Sequence, residues 1–354
     1  MRIAVGDMYS NVQNGIGNQM VEILGLCGRE RLSETIIRSN EFAYRLIPDY
    51  AELPDNLRYS PIPSGCCDEE GNLYLACRNP DHPILVLDSQ GHYCRSFGKG
   101  DFRNIHSIRF TSKNNLLCVD SQLHQVLEFT LAGEKVRTIG SGIPSDSGFE
   151  PNVWRKKQAS GEMIPNDVLF DSQWAFIEGL STIKRAAPPF NMPTGVAESK
   201  DGKLFFSDGY ANAAVHRFSA DGILEKTWGG PGKGPGKFTV PHGIHVDGKN
   251  QVWVADREGN CVHVFDEDGK LLAYVYENLY QPSEICGDQD HIYIGERGGG
   301  LTIMNSNFEI EAQLGFYTSP LMMHGICIDS EGNLYLMPLA SYYPHAVMKL
   351  ERCK

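Results

Sequence analysis

The chain has 354 residues, 41% hydrophobic and 21% charged, with a net charge of −12. This is an ordinary globular composition, and its acidic balance argues against nucleic acid or an anionic membrane as the main partner. No apolar run approaches the roughly 18 residues a membrane span needs, the opening MRIAVGDMYSNVQNGIG lacks a secretory signal's apolar stretch, and the ten cysteines form no CxxC pair, so reduced thiols in a cytoplasmic protein are expected.

Residues 1–40 show no repeat and read as an N-terminal arm; within it GLCGRERLSETIIRSN offers capping chemistry at Ser33-Glu34-Thr35 and suggests a helix start. Glu41 to Pro48 (EFAYRLIP) alternates as a strand does, and a polar, proline-bearing connector runs on to Pro63. From Ser64 onward the grammar is regular. A first strand runs to a turn such as EEGN, KDGK, DGKN or SEGN, then a second strand such as LYLA, LFFS or VWVA, then a third such as ILVLD or VHVFD. Short alternating strands punctuated by Gly, Asp and Asn form four-stranded antiparallel units.

Each unit opens on a recognisable residue: Ser64, His106, Thr194, His242, Ser283 and His324. Their spacings are 42, 88, 48, 41 and 41, and a period of about 40–45 residues marks a β-propeller blade. The doubled interval contains 141–188, which lacks paired strands and Gly turns but carries Trp154, Trp174 and Phe176. We read it as an insertion between blades 2 and 3, a lid or pocket wall rather than a seventh blade. The predicted fold is an all-β, six-bladed propeller over 41–354, closed by pairing Glu41–Pro48 with the last blade.

In a ring of six, alternate openings stand about 120° apart, so His106, His242 and His324 would converge. One histidine at such a position is an ordinary core residue. Three at one repeat position form a metal site with a free coordination position, for zinc first and for copper, nickel or iron after it. A second set of repeat positions, where the second strand turns, carries Arg78, Tyr210, Arg257 and Arg297. Guanidinium forks suit a carboxylate, and a tyrosine beside such charges can serve as a general base. The bland alternative is Arg–Asp bridging between blades, for which Asp256 and Glu296 are available. Asn212, two residues past Tyr210, is a further substrate-binding candidate, and Met322 a pocket-lining one.

The runs FFSDGYANAAVHRFSADGILEKTWG and FTVPHGIHVDGKNQVWVADREGNCVHVF closely resemble the catalytic core of the peptidyl-α-hydroxyglycine α-amidating lyases, six-bladed propellers of NHL-type repeats. The likeness extends over about 41–352, the insertion excluded. It implies zinc on His106, His242 and His324, Tyr210 as base, Arg257 and Arg78 as catalytic arginines, and Met322 lining the site. The implied reaction cleaves a carbinolamide C–N bond to an amide and glyoxylate, in a peptide or small molecule that bears a carboxylate. Three features depart from that pattern. Gly325 stands where the family carries an Asp linked to a structural calcium, which speaks against calcium here. Ala211 and Trp253 stand near positions where secreted members carry disulfide cysteines, and the insertion reshapes one blade junction. A zinc hydrolase or hydratase, or a non-enzymatic NHL binding module, are the other readings.

Overall fold

The turn chemistry sets the strands. In the computed structural model, Asp68 Oδ1 accepts the backbone N–H groups of Glu70 and Asn72, and Asp329 Oδ1 those of Glu331 and Asn333. Gly71 and Gly332 follow in the left-handed region, at φ 82° and 83°, which only glycine adopts cheaply. The described residues are 35–160, 171–315, 323–339 and 346–353.

The first described elements form a hairpin, β1 (Ile36–Ser39) and β2 (Phe42–Ile47). Blade 1 is β3 (Ser64–Cys67), β4 (Leu73–Ala76), β5 (Ile84–Leu87) and β6 (Tyr93–Phe97); blade 2 is β7 (Ile105–Phe110), β8 (Asn115–Asp120), β9 (Gln125–Thr130) and β10 (Lys135–Ile139). Two helices follow, α1 (Val153–Ser160) and α2 (Asp171–Leu180). Blade 3 is β11 (Pro193–Glu198), β12 (Leu204–Asp208), β13 (Ala214–Phe218) and β14 (Leu224–Gly229); blade 4 is β15 (Pro241–Val246), β16 (Val252–Asp256), β17 (Cys261–Phe265) and β18 (Leu271–Val275). Blade 5 is β19 (Pro282–Gly287), β20 (His291–Glu296), β21 (Gly300–Asn305) and β22 (Ile310–Leu314), and blade 6 opens with β23 (Gly325–Ile328), β24 (Leu334–Met337) and β25 (Met348–Arg352).

Each blade is one antiparallel sheet, and the first strands pack side by side from β3 through β7, β11, β15 and β19 to β23, which returns to β3. The protein is thus a six-bladed β-propeller with an insertion between blades 2 and 3. The ring closes where β2 pairs β25, with Leu46 opposite Leu350. Tyr44, Leu46 and Leu350 are fully buried there, each worth roughly 1.5–3 kcal/mol of burial. The arm's expected helix is not seen where the chain is described. Residues 36–39 instead add an outer strand to blade 6, because Ile37 faces its core and Asn40 takes the left-handed turn at φ 52°. The rest of that stretch, before residue 35, lies outside the described residues.

The described part of the insertion carries two helices, α1 packed on α2. Leu180 and Ile183 dock into the core between blades 3 and 4, and the Ser147 hydroxyl donates to the Ala211 carbonyl at 2.6 Å. The side chains of Trp154 and Trp174 lie outside the described residues. No helix among the described residues is long and apolar enough to cross a membrane.

Candidate metal centre

A recurring carboxylate positions the blade openings. Asp120, at the end of β8, accepts the backbone N–H groups of Arg103 and Asn104 at 2.7 and 2.8 Å. Asp256, ending β16, accepts those of Thr239 and Val240 at 2.9 and 2.6 Å. Asp208 holds Asn191 N–H at 2.7 Å and Glu296 holds Tyr280 N–H at 2.6 Å. Each acceptor grips the chain two or three residues before an opening residue, with charge-assisted bonds worth about 1.5–3 kcal/mol apiece. Asp256 and Glu296 are therefore loop anchors rather than partners of Arg257 and Arg297.

The three histidines meet. Their ring centroids are 4.9, 4.9 and 4.7 Å apart, close to an equilateral triangle, and all three are buried. Each Nδ1 faces a carbonyl of the next blade around the ring: His106 meets Thr194 O at 2.6 Å, His242 meets Ser283 O at 2.6 Å and His324 meets Pro63 O at 2.8 Å. A carbonyl only accepts, so each Nδ1 carries the proton and each Nε2 lone pair points inward. The hydroxyl residues of the intervening blades tie neighbours together: Thr194 donates to Pro241 O at 2.8 Å and Ser283 to His324 O at 2.9 Å. The alternation of His with Ser or Thr is thus one interlocked pattern.

The Tyr210 hydroxyl sits where the lone pairs converge, at 2.9, 3.0 and 3.5 Å from Nε2 of His106, His242 and His324. One phenol proton serves one acceptor, so two buried Nε2 atoms lack a donor among the described residues. That imbalance costs about 1–3 kcal/mol for each unmet group and is what a cation would correct. Burial first, and then nearby positive charge, Arg257 for all three and Arg78 for His106 and His324, holds the three imidazoles well below their ordinary pKa and neutral. Neutral imidazole is the ligating form, so the residues fit a metal ion.

Around this triangle Arg257, 3% exposed, donates from Nη1 to the Tyr210 hydroxyl at 3.1 Å and from Nε to Glu258 at 2.9 Å. Glu258 follows Arg257 directly and was not singled out by sequence; its adjacency to Arg257 was the available signal. Arg78 has a buried Nε with no partner among the described residues, and burial lowers its pKa against the pull of Tyr210 and Asp120. Arg297 reaches Glu258 at 3.9 Å instead of Tyr210. Asn212 accepts from the backbone N–H groups of Ala187 and Ala213, and donates to Ala187 O and Asp208 Oδ2. Its amide is fully engaged within the fold, which makes it a clamp on the insertion's end rather than a substrate contact. Met322 lies outside the described residues. From α2, Phe176 packs edge-on against Tyr210 with centroids 5.7 Å apart.

Asp256, Cys261 and His263 form a second buried cluster whose tautomer is the opposite one. Gly236 N–H donates to His263 Nδ1 at 3.3 Å, so the ring proton sits on Nε2, the atom that faces Cys261 Sγ at 3.4 Å. A protonated nitrogen cannot ligate, and this cluster is a hydrogen-bonded core feature. Burial pushes Asp256 up to about 6 from an ordinary 3.8. Between those values the folded chain keeps a proton the unfolded chain has released, so this group's contribution to stability falls as pH rises. Asp256→Asn is expected to flatten that part of the pH profile of thermal unfolding; an unchanged slope would assign it to another group.

A family model described as the SMP-30/gluconolactonase/LRE-like region matches residues 172–295. Human NHL repeat-containing protein 3 is 33% identical over 263 residues, 73% of this chain and 67% of that protein. Rat peptidylglycine α-amidating monooxygenase is 40% identical over 197 residues, 53% of this chain and 16% of that protein, so the chain spans a small part of that relative's length. Drosophila melanogaster peptidyl-α-hydroxyglycine α-amidating lyase 1 is 25% identical over 237 residues, 63% of this chain and 36% of that protein. Among solved structures, virginiamycin B lyase from Staphylococcus aureus shares the fold, with a TM-score of 0.57 at 15% identity over 88% of this chain and 99% of that one.

Proposed function

The chain belongs to the NHL-repeat propeller family in which the peptidyl-α-hydroxyglycine α-amidating lyases stand, and from that premise we propose that it is a zinc-dependent lyase cleaving the C–N bond of a carboxylate-bearing α-hydroxy-amide. The observation that carries this reading is the meeting of three inward Nε2 lone pairs, one tyrosine hydroxyl and a buried guanidinium whose Nε has no partner among the described residues. His106, His242 and His324 would hold the metal through Nε2. Zinc so bound supplies Lewis acidity toward the substrate hydroxyl.

The chain's own groups do the rest. Arg78, whose buried Nε has no hydrogen-bond partner among the described residues, and Arg257 take the substrate carboxylate, the charge arrangement a guanidinium fork fits. Arg257 also fixes the Tyr210 hydroxyl at 3.1 Å. Tyr210 Oη accepts the proton of the substrate hydroxyl as it releases its own phenol proton to the departing amide nitrogen, the C–O electron pair closes to a carbonyl, and the C–N bond breaks. R–CO–NH–CH(OH)–COO⁻ thus becomes R–CO–NH₂ and OHC–COO⁻, with nothing oxidised and no water consumed. Phe176, against the tyrosine ring, excludes water from this transfer and makes the insertion a pocket wall. A hydrolytic reading has weaker support, since Glu258 is committed to Arg257. The nine described cysteines are unpaired, which supports a reducing compartment.

Zinc-loaded protein is expected to release glyoxylate and the matching amide one to one from N-acyl-α-hydroxyglycines, peptidyl or small. No glyoxylate from any such amide would overturn the lyase reading. Arg78→Gln should raise KM for these substrates by about tenfold or more with a smaller effect on kcat; an unchanged KM removes Arg78 from carboxylate binding.

A further inference from the structure

Beside the ring of histidines the inner strands carry a charged pair that the lyase chemistry does not use. Arg109 on β7 and Glu284 on β19 have side chains 15% and 4% exposed and meet at 3.1 Å between Nη2 and Oε1. The same guanidinium donates from Nη1 to Gly65 O at 3.1 Å and Ile108 O at 3.0 Å, and from Nη2 to Ile285 O at 3.3 Å. Three carbonyls, from blades 1, 2 and 5, thus converge on one cation, and one buried carboxylate balances it. The guanidinium is suited to this because its donors lie in a rigid planar fork.

These contacts sit close to what orients the histidines. Gly65 is two residues beyond Pro63, whose carbonyl accepts from His324, and Ile285 is two residues beyond Ser283, whose carbonyl accepts from His242. Arg109 itself is three residues beyond His106. One side chain therefore ties the segments that aim His324 and His242 to the strand that carries His106.

The calcium implied by the sequence resemblance does not fit here. The acid it would need is replaced by Gly325, where even a Cβ would stand 2.4 Å from Pro63 O. The carbonyls of Gly65, Ile108 and Ile285 on the inner strands already receive the Arg109 cation.

We propose that Arg109 is a built-in cation that stands in place of a bound calcium ion and acts as a positioning residue for the three ligand histidines. This rests on the reading of those histidines as the metal site, and the test separates the two. Wild type, Arg109→Met, Arg109→Lys and Glu284→Gln would be stripped of metal and titrated with Co²⁺, followed by visible absorption, with thermal unfolding recorded with and without millimolar calcium. Wild type is expected to bind Co²⁺ with the intense bands of a four-coordinate site and to keep the same Tm in calcium. Wild type that binds no Co²⁺ defeats the metal-site reading itself. Arg109→Met should bind Co²⁺ about tenfold or more weakly with altered bands, and Arg109→Lys, which keeps the charge without the fork, should lie between. Glu284→Gln, which leaves the fork on its carbonyls, should keep the wild-type bands. If Arg109→Met does not fold, the Lys variant carries the test. A Lys variant with wild-type affinity and bands, or a wild-type Tm that rises by several degrees in calcium, overturns the proposal.

Discussion

Protein carrying His242→Ala is expected to lose its metal and its lyase activity together while keeping its fold. His242 contributes one of three convergent Nε2 atoms, and its Nδ1 bond to Ser283 O at 2.6 Å presets the ligating tautomer. Two remaining imidazoles make a poor zinc site, since catalytic zinc is held by three protein ligands. The Lewis acid supplies several kcal/mol at the transition state, so glyoxylate release should fall by at least about a thousandfold. The buried site becomes less crowded with unmet acceptors, which is why thermal stability of the metal-free variant should match or exceed that of metal-free wild type. Metal analysis, unfolding and glyoxylate assay on one preparation decide the matter. Zinc at wild-type stoichiometry in the His242→Ala protein, and equally in His106→Ala and His324→Ala, would remove the histidines from metal binding.

Tyr210→Phe is expected to have the opposite signature, with metal retained and turnover lost. The substitution keeps the ring that packs on His106, His242 and Phe176 and deletes the hydroxyl oxygen that faces the three Nε2 atoms. General-base catalysis contributes about 10²–10⁴-fold, so kcat should fall by that amount with KM changed far less. The Arg257 guanidinium, which also lies over the Tyr210 ring at 5.4 Å, keeps Glu258 as a partner, so local collapse is not expected. Full kcat with full zinc occupancy would remove the phenol from proton transfer.

The repeat grammar made much of this protein legible. A propeller places equivalent residues at equal angles, so Ser64, His106, Thr194, His242, Ser283 and His324 could be set around an axis from spacing alone. The Gly turns and alternating strands named six blades, and 141–188, lacking both, could be set aside as an insertion. EFAYRLIP could be named as the closing strand because a ring of sheets needs its last edge covered.

What only the tertiary structure decided lies where the chain departs from its own repeat or where one blade meets another. Strand β1 forms because blade 6 offers Ile37 a core, although the local sequence suggests a helix. Asn212 stands two residues from Tyr210, yet cross-blade packing turns its amide to Ala187 and Asp208. The imidazole tautomers depend on carbonyls one blade away, as does the contrast between those three histidines and His263. Arg109 and Glu284 are 175 positions apart and occupy non-equivalent places in their blades, so no periodicity pairs them. Periodicity fixes angle around the axis; rotamers, hydrogen-bond direction and unpaired charge are fixed only when neighbouring strands are brought within reach.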